Sequence, residues 1–171
     1  MTSPMSDSQP TSTIAKYACG IDHVAIAVTD LEDSINWFTS VLGFTVKERR
    51  RTEGVSTAMI SAVLVAGPLN IVLLQGTAPQ SQVSRFIEHY GPGMQHLAIQ
   101  VKSIDEVAAE LVQAGLEFDT TIIEGGGLRQ IFTKRNQDSG LMIEFIERSK
   151  SGFVEQNVES LFAQLEKKDS F

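Results

Sequence analysis

The chain has 171 residues, 42% of them hydrophobic and 20% charged, which is enough for one domain with a sizeable buried core. A net charge of -7 argues against nucleic acid or an anionic membrane surface as a partner, and no apolar run approaches the roughly 20 residues that span a bilayer. The single cysteine, Cys19, excludes an internal disulfide framework, suits a reducing cytoplasm and is expected as a small buried residue beside a strand.

Met1 to Thr13 is rich in Ser, Thr and Pro and lacks the apolar stretch of a secretory signal, so residues 1–16 read as a disordered tail before a domain over 17–151. Gly20-Ile21-Asp22-His23 opens an apolar strand that runs to Val28. Thr29-Asp30 then supplies a helix N-cap, with Glu32 and Asp33 in the first turn, where the helix dipole favours acids. Leu31, Ile35, Phe38 and Leu42 follow at helical spacing, and Gly43 ends the helix. Phe44–Arg50 reads as a strand, Thr52-Glu53-Gly54 as a turn, and Ser56–Ala66 and Leu69–Gln75 as two more strands joined by Gly67-Pro68. The order is β-α-β-β-β.

Thr77–Ser81 reads as a linker and Gln82–His89 as a short helix with Val83, Phe86 and Ile87 on one face. After Gly91-Pro92 the pattern restarts with Gly93-Met94-Gln95-His96, so two of the chain's histidines hold matched places in two copies. Ser103 caps a helix carrying Ile104, Val107, Ala108 and Leu111, and Gly115 stops it. Leu116–Thr121 is expected as a strand, Ile122–Gly127 as a glycine-rich loop, and Leu128–Thr133 and Leu141–Glu147 as strands separated by the turn at residues 136–140. That is β-α-β-β-β again. Two copies of about 70 residues are too few for a solenoid. They predict an α+β fold in which modules at about 20–76 and 93–148 form one cupped, barrel-like mixed sheet with a pseudo-twofold axis. Residues 152–171 form a final helix whose apolar stripe is Val154, Val158, Leu161, Phe162 and Leu165.

The pseudo-twofold predicts that His23 and His96 project into the same concave interior. Each alone reads as a hydrogen-bonded core histidine; at matched positions the two read as one shared site. Glu144 stands alone in the apolar run Leu141–Ile146. Either it faces solvent from an edge strand, or it is buried beside a cation that relieves the cost of its charge. Two histidines and one carboxylate suit non-haem Fe(II) and leave positions for substrate and oxygen. The first-half counterpart of the Glu144 strand carries Ile71, Val72 and Leu73, all apolar, so no fourth ligand is expected.

With these residues in place, the chain resembles the vicinal oxygen chelate superfamily, and within it the catalytic domain of 4-hydroxyphenylpyruvate dioxygenase and hydroxymandelate synthase. The likeness rests on Gly91–Ala98, on Leu128–Lys134, and on Gln137-Asp138 before Ile143-Glu144. It extends to Gly152-Phe153, Asn157 and Leu161-Phe162. It implies Fe(II) held by His23, His96 and Glu144, a 2-oxo acid chelating the iron through carboxylate and keto oxygens, and molecular oxygen as co-substrate. It further implies that Gln130 hydrogen-bonds the substrate and Phe132 lines the pocket, while Phe153 and Asn157 gate it, with Gln130, Phe132 and Asn157 acting in catalysis. Met142 stands where that family has an aromatic wall. On the residues alone, Gln130 is equally compatible with a cross-strand hydrogen bond, and Phe132 with the core.

The run from Ile21 to Val28, Leu42-Gly43-Phe44 and Ser139–Glu144 are also similar to methylmalonyl-CoA epimerase and the glyoxalases. Those enzymes work with Co(II), Mn(II), Ni(II) or Zn(II), typically on four protein ligands, and move a proton with a carboxylate base. Glu48 or Glu53 would have to be that base. A third alternative is a metal-free binding protein of the drug-sequestering type. The partner expected is a small molecule, and lone modules of this kind often pair as a homodimer.

Overall fold

A computed structural model describes residues 13–125, 127–149 and 155–168, the side chains at 13, 155–157, 162 and 168 excepted. The first module comprises β1 (Ala18–Ala27), α2 (Leu31–Asn36), β2 (Thr45–Glu53), β3 (Ala58–Ala66) and β4 (Leu69–Gly76), preceded by a short helix α1 (Thr13–Tyr17). A connecting helix α3 (Gln82–Tyr90) leads to the second module: β5 (Gly93–Val101), α4 (Ile104–Gln113), β6 (Ile123–Gly125), β7 (Leu128–Phe132) and β8 (Met142–Arg148). The chain ends in α5 (Glu155–Lys168).

The eight strands form one curled sheet in the order β2-β3-β4-β1-β5-β8-β7-β6. Read from either edge, the order is the same once the modules are exchanged, so the pseudo-twofold passes between β1 and β5. These two central strands are antiparallel, and each has a parallel neighbour, β4 beside β1 and β8 beside β5. The expected α+β fold of two repeated modules is the observed one.

Strand alternation sorts the side chains into two layers. Outward-facing Ala62, Leu64 and Leu73 pack with Leu31 and Ile35 of α2, while Val101, Ile131 and Phe145 pack with Ile104 and Val107 of α4. On the concave side, Met59, Val63, Val72 and Leu74 meet Val83 and Phe86 of α3. Helix α5 covers the rest, with Leu165 and Leu161 against Phe132 and Met142. Val154 and the side chain of Phe162, expected on its stripe, lie outside the described residues.

Several local expectations are corrected. Thr13–Tyr17 is helical within the stretch read as tail up to residue 16, because Ile14 and Tyr17 pack against the α4 cluster. Cys19 is exposed rather than buried, since β1 runs beyond the core at its first residues. Thr52 and Glu53 extend β2 instead of forming the turn. After Asn36, α2 continues as a π-helical turn over Trp37–Val41, and this wider turn carries Leu42 off the apolar stripe, to 49% exposure, before Gly43 reverses the chain at φ +76°. Leu116–Thr121 makes only an isolated bridge, Phe118 to Thr133, and the edge strand is β6, inside the stretch expected as a loop. Ser103 makes no side-chain capping bond; Glu147 of β8 instead accepts the Ile104 N–H at 2.8 Å.

Candidate metal centre

The central strand pair brings the repeat's two histidines together. His23 is 3% exposed and His96 8%, and their Nε2 atoms lie 3.2 Å apart. From the parallel neighbour of β5, Glu144 sends Oε2 to 3.2 Å from His23 Nε2 and 3.5 Å from His96 Nε2. Glu144 is 1% exposed, so the reading of a solvent-facing edge carboxylate is overturned.

Each histidine is oriented by the residue before it. His23 Nδ1–H donates to Asp22 Oδ1 at 2.8 Å, and His96 Nδ1–H donates to Gln95 Oε1 at 2.5 Å. Both acceptors lack a proton to give, so each Nδ1 carries its N–H and each Nε2 is the inward nitrogen, able to give a lone pair to a cation that displaces any proton there. Asp22 is in turn gripped by Arg148, whose Nε and Nη2 donate to Oδ2 and Oδ1 at 2.5 and 2.8 Å. Burial would raise the Asp22 carboxyl, but Arg148 and His23 outweigh it and hold it well below the usual range. On the other half, Arg135 donates to the Gln95 and Gly140 carbonyls at 3.0 and 2.5 Å and to Met142 Sδ at 3.0 Å. Gly140, at φ +67°, lets Tyr90 approach this corner, where a Cβ would sit 2.8 Å from its ring.

The electrostatics of the pair are unequal. Burial opposes charge on His23, yet Glu144 and Asp22 overcome it and raise the imidazole to about 9. His96 is pushed well below the ordinary value by burial, by His23 and by Arg135. Glu144 Oε1 is buried and accepts no hydrogen bond, the one such side-chain atom among the described residues. An orphaned carboxylate oxygen beside two inward Nε2 atoms is costly without a cation. Three donors about 2.1 Å from one ion at right angles would be about 3.0 Å apart, close to the separations found. The donor set therefore fits a divalent metal, with His23, His96 and Glu144 able to hold it.

The register shows what occupies the fourth quadrant. Two residues after His96, Ala98 pairs with Glu144; two residues after His23, Ala25 pairs with Val72. Val72 thus stands where symmetry would put a second carboxylate.

The cavity above this cluster takes in the other expected residues. Gln130 is 2% exposed and lines it; Phe132 is 1% exposed, stacked edge-on against His96 at 5.4 Å between centroids; Met142 is fully buried opposite His96 in register. Phe153 lies outside the described residues, and so does the side chain of Asn157. Of the two acids considered as a base, Glu53 is exposed on the outer face and paired with Arg51. Glu48 lies on the concave side, pairing with Val63 of the cavity wall. Asp22, Gln95 and Arg148 were not anticipated. For Asp22 and Gln95 the signal is the polar residue preceding the histidine at the same place in both copies; Arg148 carries no such signal.

The glyoxalase/bleomycin resistance protein/dioxygenase superfamily model matches residues 20–145. The chain belongs to this superfamily. Among relatives, it is 27% identical to protein MelA of Shewanella colwelliana over 93% of this chain and 56% of that one. It thus spans little more than half of that relative. A mutant of 4-hydroxymandelate synthase from Streptomyces coelicolor superposes with a TM-score of 0.79 at 23% identity, covering 88% of this chain and 54% of that one. Methylmalonyl-CoA epimerase from Mycobacterium tuberculosis superposes with a TM-score of 0.67 at 26% identity, covering 84% and 95%. Members of both the dioxygenase and the epimerase type thus share this fold. Among the described residues, no helix is long and apolar enough to cross a membrane.

Proposed function

We propose that this chain is an Fe(II)-dependent dioxygenase-type enzyme that acts on a 2-oxo acid with molecular oxygen. The observation that carries this is the three-donor cluster with Val72 at the symmetric fourth place. On a six-coordinate ion a carboxylate there would leave too few positions for a chelating substrate and oxygen together, whereas an apolar side chain leaves room for both. Bound Fe(II) would supply the redox chemistry that couples decarboxylation of the oxo acid to substrate oxidation.

The chain's own residues hold and shield the reactants. Asp22 and Gln95 fix the two imidazoles as inward Nε2 donors. Gln130 offers an amide to a substrate oxygen beside the cluster. Phe132, Met142, Leu161 and Leu165 exclude water above it, which protects an oxidising reaction from quenching.

The test is oxygen uptake and carbon dioxide release by the Fe(II)-loaded protein over a panel of 2-oxo acids. Uptake that depends on both iron and a 2-oxo acid is expected, and no uptake with any member refutes the reading. A second reading, epimerase chemistry, is favoured by Glu48 on the concave side, where it could serve as a base. It predicts anaerobic solvent deuterium exchange into a thioester substrate with Co(II), Mn(II) or Ni(II), lost in Glu48→Gln.

A further inference from the structure

Each histidine of the cluster has an arginine behind it, and the two arginines grip in different ways. On the first half, Arg148 holds the Asp22 carboxylate, which holds His23. On the second half, Arg135 reaches Gln95, whose side chain holds His96, but the grip is on the backbone: Nη1 donates to the Gln95 carbonyl at 3.0 Å. Arg135 is 9% exposed. Gln130 and Phe132 alternate into the cavity, yet Lys134, next in phase, is exposed and paired with Glu117. Arg135 turns inward in its place, because regular pairing of β7 ends at Phe132.

The same guanidinium ties together the parts that set this corner of the site. The parallel ladder between β5 and β8 starts at the pair His96–Met142. Arg135 spans that first rung. Nη1 serves the Gln95 carbonyl on β5 and the Gly140 carbonyl just before β8, and Nη2 serves Met142 Sδ. Its plane lies over Phe86 of α3, 4.8 Å from the ring centroid, with the Tyr90 ring at 5.9 Å. The two strands so joined carry His96 and Glu144, two of the three donors. Withdrawing a guanidinium from water is costly, and an apolar side chain of similar volume would fill the corner at least as stably. What an apolar side chain lacks is a rigid fork that fixes two carbonyls and a sulfur in set directions.

We propose that Arg135 is a positioning residue for His96: through Gln95 and the first rung of the β5–β8 ladder, it sets where His96 Nε2 stands relative to Glu144. Because it holds a backbone carbonyl, it places the imidazole while its hydrogen-bond partner stays neutral, whereas Arg148 secures a charged partner for His23. This rests on the reading that His23, His96 and Glu144 hold a metal.

The test uses the full-length protein. In the Co(II)-loaded form each ligated histidine should give an exchangeable Nδ1–H proton signal shifted far downfield, and Asp22→Asn identifies the one that belongs to His23. Arg135→Met should move or abolish the His96 signal, leave the His23 signal in place, and weaken Co(II) binding about tenfold by competition with a chromophoric chelator. Arg148→Met should act on the His23 signal instead. Arg135→Lys should recover part of the affinity, since it restores a donor but not the fork. If Arg135→Met loses stability but keeps both signals, with affinity within about twofold, the proposal is overturned and Arg135 serves the fold alone. Where the variants fail to fold, the unaltered Zn(II)-loaded protein decides: separate, slowly exchanging Nη–H signals are expected from Arg135, and averaged ones overturn the proposal. If Co(II) brings out no shifted histidine signal at all, the metal site itself is refuted and this inference falls with it.

Discussion

Glu144→Gln removes the cluster's carboxylate while nearly preserving its shape. The side chain is 1% exposed, its Oε2 is within 3.5 Å of both Nε2 atoms, and its Oε1 has no protein partner among the described residues. A divalent ion at one hundred times its Kd stabilises the native state by about 2.7 kcal/mol. For a chain of this size that corresponds to a rise in melting temperature of about 5–11 °C. Losing a carboxylate ligand should weaken affinity by about 100-fold or more, the upper end of what is lost with a ligand's supporting partner alone. The same ion concentration then sits near the Kd, where stabilisation is about 0.4 kcal/mol and the rise about 1–2 °C. Thermal melting of chelator-treated protein with and without Mn(II) or Co(II) reads both values. A metal-dependent shift undiminished in Glu144→Gln would refute the reasoning, as would no shift in the unaltered protein.

Three further outcomes follow from the same geometry. Val72→Glu places a carboxylate at the position symmetric to Glu144, so metal should bind at least as tightly while iron-dependent oxygen uptake falls tenfold or more; unchanged uptake would show that the fourth quadrant is not used. Asp22→Asn should weaken metal binding about 10–100-fold, measured by competition with a chromophoric chelator. Because Asp22 is held below its ordinary value of 3.8, its ionised form stabilises the fold above that pH, and the contribution fades as pH falls through the lower folded value. The stability gap between the metal-free protein and Asp22→Asn should therefore be about 2 kcal/mol at pH 6 and shrink progressively from roughly pH 5 downward, with part of it left at roughly pH 2, by denaturant titration. Glu166→Ala removes the α5 carboxylate that accepts the Val55 and Thr57 N–H groups at 2.7 and 3.0 Å and the Thr57 hydroxyl, and should cost about 1–2 kcal/mol in the same titration.

Much of this was legible in the chain because the fold is written twice. Gly-apolar-polar-His at the start of each copy marks the two central strands, and the lone Glu144 in an apolar run marks their neighbour. Alternation and matched position are enough to predict that such side chains converge. What escaped depends on breaks in alternation and on contacts distant in sequence. The bulge after Val46 reverses which of Glu48, Arg49 and Arg50 faces inward, and no local pattern announces it. The edge strand β6 has three residues, too few for a periodic signal, whereas Leu116–Thr121 has strand-like composition but pairs only at the Phe118–Thr133 bridge. Cys19 was misjudged because burial was read from residue type, while β1 extends past the core. Arg148 reaches Asp22 across 126 positions, which only the folded sheet reveals.

The most direct measurement is X-ray absorption on the protein loaded with one equivalent of Fe(II) under nitrogen. Two imidazole nitrogens and one carboxylate oxygen from the protein are expected, with the remaining ligands exchangeable water that a bound 2-oxo acid displaces. In His23→Ala and His96→Ala one nitrogen each should disappear. A fourth protein ligand, or iron retained with an unchanged spectrum in both variants, would contradict a site built on His23, His96 and Glu144.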